Sequence, residues 1–149
     1  MNVLLTVGNG MMGDDGAGVL LAQMLQERPL VDWSVVNGGS APENVVHRIR
    51  EMDAARVLVV DAADMDLEPG SIRRIHAERL EDPFLMTTHT LPLTFLIESL
   101  REFVPQVDFL GIQPNIVAFG FPMSEEVRGA VGQVYADLKN DVLNWSSCN

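Results

Sequence analysis

Apolar residues follow two alternating rhythms along the chain. In the first, they run consecutively and favour β-prone types, at Val3–Val7, Trp33–Val36, Arg56–Val60 and Val107–Ile112. Short unbroken apolar runs are expected of strands covered on both faces. Ser71–Ile75, after the turn signal Pro69-Gly70, alternates more weakly and reads as an edge strand. In the second rhythm, apolar residues return at helical spacing. Asp15 to about Glu27 offers Val19, Leu20, Met24 and Leu25 for one face and stops before Pro29. Ser40-Ala41-Pro42-Glu43 opens a helix, with Ser40 as the expected N-cap and Val45, Val46, Ile49 and Met52 facing inward. Leu91–Glu102 repeats Leu93, Leu96, Ile97 and Leu100, and Ser124 to about Leu143 carries Val127, Val131, Val134, Leu138 and Val142 as one stripe. Glu125 and Glu126 sit where the macrodipole of that last helix favours negative charge.

The order β-α-β-α-β at the start specifies a mainly parallel sheet with helices on both faces. The expected fold is therefore α/β, with three layers (α/β/α) around a twisted five-stranded sheet, in a single domain spanning residues 1–149. Sheets of this kind bind ligands outside the carboxyl ends of their strands. The stretches to inspect are Gly8–Asp15, Asn37–Ser40, Asp61–Asp64 and Gln113–Asn115.

Composition narrows the picture further. The chain has 149 residues, 47% of them hydrophobic, which suits one domain with a real core rather than disorder. No apolar run reaches the roughly 20 residues that span a bilayer. The N-terminus lacks a basic segment and a cleavage site, so the cytosol is the expected compartment. The one cysteine, Cys148, has no internal disulfide partner and reads as incidental. Ten Lys and Arg face 21 Asp and Glu, a net charge of −11. Such a surface repels nucleic acid and anionic lipid and suits a cation or a basic peptide segment.

Gly8-Asn9-Gly10-Met11-Met12-Gly13 matches the dinucleotide-binding pattern G-x-G-x-x-G between a strand and a helix. Asp14 and Asp15 follow at the helix N-terminus, where a pyrophosphate would dock, and the second strand ends in Asn37 rather than an acid. The glycines are better read as a tight turn with positive-φ positions, and one of the two acids as a helix cap.

Asp61 ends a strand of buried-type residues at the edge that also receives Asp14 and Asp15. Carboxylates gathered there raise one another's pKa or demand a cation. Among the histidines, His47 and His76 read as surface residues, whereas His89 lies in Met86-Thr87-Thr88-His89 just before a helix. Two carboxylates and an imidazole form an O,O,N ligand set suited to a borderline divalent ion such as Zn²⁺ or Ni²⁺. From the residues alone the chain is a candidate metal-dependent or carboxylate-based hydrolase.

Five stretches together resemble the [NiFe]-hydrogenase maturation endopeptidases, in the form that serves hydrogenase 3. They are Val7 to Gly18, Gly38-Gly39-Ser40-Ala41-Pro42-Glu43-Asn44, Val59-Val60-Asp61-Ala62, Met86-Thr87-Thr88-His89 and Leu110-Gly111-Ile112-Gln113-Pro114. The resemblance implies removal of a C-terminal extension from a nickel-loaded large-subunit precursor. It implies metal ligation by Asp15, Asp61 and His89, with Asp15 and Asp61 as the catalytic carboxylates. The nickel would be the precursor's own, and the precursor the protein partner of a monomer. A non-catalytic nickel- or precursor-binding chaperone is the alternative. The family commonly carries Asp where this chain has Asn37, a replacement that keeps a hydrogen-bonding oxygen but loses charge and basicity.

Overall fold

A computed structural model of the chain describes residues 1–75 and 93–147, together with the backbone of Met86–Thr87. The strands are β1 (Asn2–Val7), β2 (Trp33–Gly39), β3 (Arg56–Asp64), β4 (Ile72–Ile75), β5 (Met86–Thr87) and β6 (Gln106–Ile112). The helices are α1 (Ala17–Glu27), α2 (Val46–Glu51), α3 (Leu93–Arg101) and α4 (Glu125–Lys139), and 3₁₀ turns at Gly13–Gly16 and Pro42–Val45 lead into α1 and α2.

The main sheet runs β2-β1-β3-β6-β4, and short β5 pairs with the end of β3. β1, β2, β3 and β6 are parallel; β4 lies antiparallel to β6 at the edge, in keeping with its weak alternation. The unbroken apolar runs are explained by the pleat, which sends consecutive side chains to opposite faces. Val3, Leu5, Val57, Val59 and Phe109 pack with Ile49 of α2 and Leu96, Ile97 and Leu100 of α3. Leu4, Leu58, Val60, Leu110 and Ile112 pack with Leu21 and Leu25 of α1 and Val127, Val131, Val134 and Leu138 of α4. Each fully buried Leu or Phe in these layers contributes about 1.5–3 kcal/mol of transfer free energy. The α/β/α sandwich follows directly.

Polar contacts tie neighbouring strands to one another and α1 to α4. Asp108 on β6 accepts hydrogen bonds from Arg56 of β3, at 3.2 and 3.0 Å, and from Arg74 of β4. The Tyr135 hydroxyl of α4 donates to the Arg28 carbonyl at the end of α1, at 2.8 Å.

Local details depart from the sequence reading in three places. Ser40 is not an N-cap; Ala41 takes that position with no side-chain bond, while Pro42 does occupy the first turn. On α1 the buried positions are Ala17, Gly18, Leu21, Ala22 and Leu25, so of the four expected residues only Leu25 is among them; Val19, Leu20 and Met24 are half-buried because the stripe is rotated toward the small residues that let α1 approach β1. α4 ends at Lys139: Asp141 adopts φ 56° and the Val142 N–H returns to the Asp137 carbonyl, closing the helix before Val142, which is left exposed. The expected helix over Leu91–Glu102 is seen as Leu93–Arg101; Leu91, Pro92, His76 and Cys148 lie outside the described residues. His47 is exposed, as expected. Among the described residues no helix is long and apolar enough to cross a membrane.

Candidate active site

From β1 the chain passes first to β2 on one side and then to β3 on the other, so the carboxyl ends of β1 and β3 flank a topological switch point. Crevices form at such points because successive connections leave the sheet in opposite directions. Asp15 follows β1 and Asp61 lies in β3 near its carboxyl end, one on each side of this switch. The turn Gly13–Gly16 and β3 approach to within 8 Å between Cα atoms.

The Gly-rich loop positions Asp15. Gly8 has φ 150°, and a Cβ there would lie 2.2 Å from the Asp15 carbonyl oxygen; a Cβ on Gly18 would lie 2.3 Å from the Val7 carbonyl oxygen. Only glycine lets the loop close this tightly onto the strand end. The Asn9 N–H donates to Asp15 Oδ2 at 3.0 Å, and the Asn9 side chain accepts from the Met11 N–H at 3.0 Å. The Met12 N–H is taken by the Asn9 carbonyl, at 3.1 Å. Loop donors that would hold a pyrophosphate in a nucleotide site are thus engaged by the chain itself, and a carboxylate stands where the phosphate would be.

Asp14 and Asp15 have different duties. Asp14 is wholly buried and caps neither the turn it belongs to nor α1. Its carboxylate instead accepts from the N–H groups of Asn115, Ile116 and Ser124 and from the Ser124 hydroxyl, at 2.7–3.1 Å. Burial pushes its pKa up, but these donors outweigh burial and hold it below the usual carboxylate value. Ser124 in turn caps α4 through the Val127 N–H. The expected cap is therefore a staple between distant loops, which no local spacing reveals.

Asp61 is wholly buried and Asp15 is 3% exposed; neither is without a partner. Asp61 pairs in register with Gly111 of β6. A side chain at position 111 would crowd its neighbours, because a Cβ there would lie 2.9–3.2 Å from side-chain atoms of Ile75, Met65 and Ala63. Two residues beyond Asp61, Ala63 pairs with Thr87 of β5, a strand the apolar pattern did not foretell. His89, the expected nitrogen ligand, lies outside the described residues, two positions past Thr87 in the chain.

Gln113 is a residue that sequence reasoning left without a role. It is buried at the end of β6, accepts from the Met65 N–H at 2.6 Å and from the Leu67 N–H at 3.3 Å, and donates to Asp64 at 3.1 Å. It fixes the loop that leaves β3 after Asp64. The available signal was an amide directly following a buried strand at the ligand edge. Asn37 is exposed, and its side-chain oxygen accepts from the Gly39 N–H at 3.0 Å. An aspartate would make the same bond.

Two buried carboxylates across a switch point offer oxygen donors for a cation and acceptors for a proton. The chain's similarity to known proteins matches this site to a chemistry. Residues 19–140 match the family model described as hydrogenase maturation protease. The hydrogenase 3 maturation protease of Escherichia coli K12 is 51% identical over 138 residues, covering 93% of this chain and 88% of that protein. The solution structure of the endopeptidase HycI from Escherichia coli superposes with a TM-score of 0.93 at 48% identity, covering 100% of this chain and 97% of that one. The crystal structure of a [NiFe] hydrogenase maturation protease HycI from Thermococcus kodakarensis gives a TM-score of 0.82 at 27% identity, covering 96% of this chain and 92% of that one. A carboxylate-lined switch point, a matching fold and half-identical sequence together place this chain in the hydrogenase maturation protease family.

Proposed function

We propose that the chain is the endopeptidase that removes the C-terminal extension from a nickel-loaded [NiFe]-hydrogenase large-subunit precursor of the hydrogenase 3 type. The observation that carries this reading is the placement of Asp15 and Asp61, both buried, on either side of the β1/β3 switch point in a chain of this family. In the proposed site these two carboxylates and His89 meet the nickel carried by the precursor. A buried carboxylate pair is a favourable place for a divalent cation, because the cation offsets the desolvation and mutual repulsion of the two charges. The pairing of β5 with Ala63 and Asp64 supports the inclusion of His89, since it brings the chain leading to that residue alongside the strand that bears Asp61. The same carboxylates are the groups available to accept a proton from an attacking water, and a nickel ion held by Asp15, Asp61 and His89 would supply Lewis acidity there.

Incubating the purified chain with nickel-loaded precursor tests this. The expected result is a loss of mass at the precursor's C-terminus, abolished by Asp61→Asn, Asp15→Asn or His89→Ala with far-ultraviolet circular dichroism unchanged. Stable binding without any mass loss would identify a chaperone instead, and normal processing by all three variants would remove these residues from the site.

A further inference from the structure

Met11, Phe119 and Phe121 are 63, 71 and 52% exposed, and Ile116, on the same segment as the two phenylalanines, is 42% exposed. Isolated exposed apolar residues are ordinary, but these belong to two loops that are bonded together. The Gly120 N–H donates to the Met11 carbonyl at 2.9 Å, and Asp14 holds Ile116 and Ser124 at the two ends of the same segment. The segment follows β6, so it stands on the same sheet edge as Asp15 and Asp61. A short chain of hydrogen bonds runs from one to the other: Asp15 to the Asn9 N–H, the Asn9 side chain to the Met11 N–H, and the Met11 carbonyl to the Gly120 N–H. The apolar groups are thus held at a fixed distance from the candidate active site.

Charge singles out the occupant. Glu125 and Glu126 are exposed at the start of α4, a few residues beyond Phe121, and Asp64 at the end of β3 and Asp66 on the loop leaving it are also exposed. A second copy of this chain, with its net charge of −11, would bring more negative charge to that rim. We propose that Met11, Ile116, Phe119 and Phe121 form a docking surface for an apolar segment of the protein precursor that is flanked by basic residues. The precursor's apolar side chains cover the aromatic pair, its cations meet exposed carboxylates such as Glu125 and Glu126, and Asp14 keeps the platform rigid against the site. This rests on the reading that the chain acts on a protein precursor, and it adds where that precursor is held.

The test combines Phe119→Ser and Phe121→Ser in the full chain and measures the dissociation constant for nickel-loaded precursor and, separately, cleavage at saturating precursor. Aromatic anchors at the centre of an interface commonly supply most of its affinity, so binding is expected to weaken by at least about tenfold. Cleavage at saturation and the unfolding midpoint are expected to stay as in the parent. Raising salt from about 50 to about 300 mM is expected to weaken parent binding further, because the ionic part is screened. Unchanged affinity in the folded double variant overturns the proposal, as does a parent dimer that the double variant converts to monomer at unchanged affinity. A parent that binds through the aromatic pair yet leaves the precursor whole supports the surface and sinks the peptidase reading.

Discussion

Ser124 reaches Asp14 twice across 110 positions of sequence, through its N–H at 2.7 Å and its hydroxyl at 2.9 Å. The same hydroxyl then caps α4, so the start of the last helix and the turn beside Asp15 are set by one carboxylate. Asp14→Ala removes the acceptor for four part-buried donors, on Asn115, Ile116 and Ser124. The expected cost is about 3 kcal/mol, or roughly 6–12 °C in midpoint for a chain of this size. Thermal unfolding followed by circular dichroism measures it; a shift under a degree would show that the staple contributes nothing.

Acid is expected to weaken the fold through Asp14 and Asp108. At both, burial pushes the pKa up and bonding partners push it further down, to a value below the ordinary 3.8. The partners are the Ser124, Asn115 and Ile116 donors for Asp14, and Arg74 and Arg56 for Asp108. An unfolded chain therefore takes up protons first as pH falls through 3.8, and their stabilisation, complete above that value, is lost through the lower folded values. Urea midpoints are expected to fall steeply below about pH 4, and Asp108→Asn is expected to lower the midpoint at about pH 7 while flattening that fall. Midpoints indifferent to pH across this range would contradict the assignment.

Gly18→Ala places a methyl group 2.3 Å from the Val7 carbonyl oxygen, a backbone atom that cannot step aside. α1 must shift away from β1 and take the Asp15 turn with it. A loss of at least about 2 kcal/mol is expected, together with slowed precursor processing even where the variant is kept folded at low temperature. Processing at the parent rate would show that Asp15 tolerates movement.

Asn37→Asp keeps the acceptor for the Gly39 N–H. Stability is expected to change by less than about 0.5 kcal/mol, whereas Asn37→Ala, which deletes the bond, is expected to cost about 1 kcal/mol. Against the parent, the processing rate of Asn37→Asp reports the charge and that of Asn37→Ala reports the turn bond. A parent rate for Asn37→Asp together with a slowed Asn37→Ala would assign Asn37 no part beyond its side-chain acceptor.

Sequence alone determined the sandwich, because the period of the apolar pattern is itself a physical consequence of pleat and helix: Val57 to Val60 had to be covered on both faces, and Val127, Val131, Val134 and Leu138 had to line one. It also placed Asp15 and Asp61 at the carboxyl edge, since β-α-β order fixes which strand ends share an edge. It could not separate Asp14 from Asp15 by chemistry, nor give Gln113 a role, nor find β5, nor see that Met11 and Phe121 belong to one surface. Each of those depends on partners tens to more than a hundred residues away. Local spacing carries no record of such partners; only the closed fold brings the Asp14 carboxylate to the N–H groups that keep it from being the site's acid.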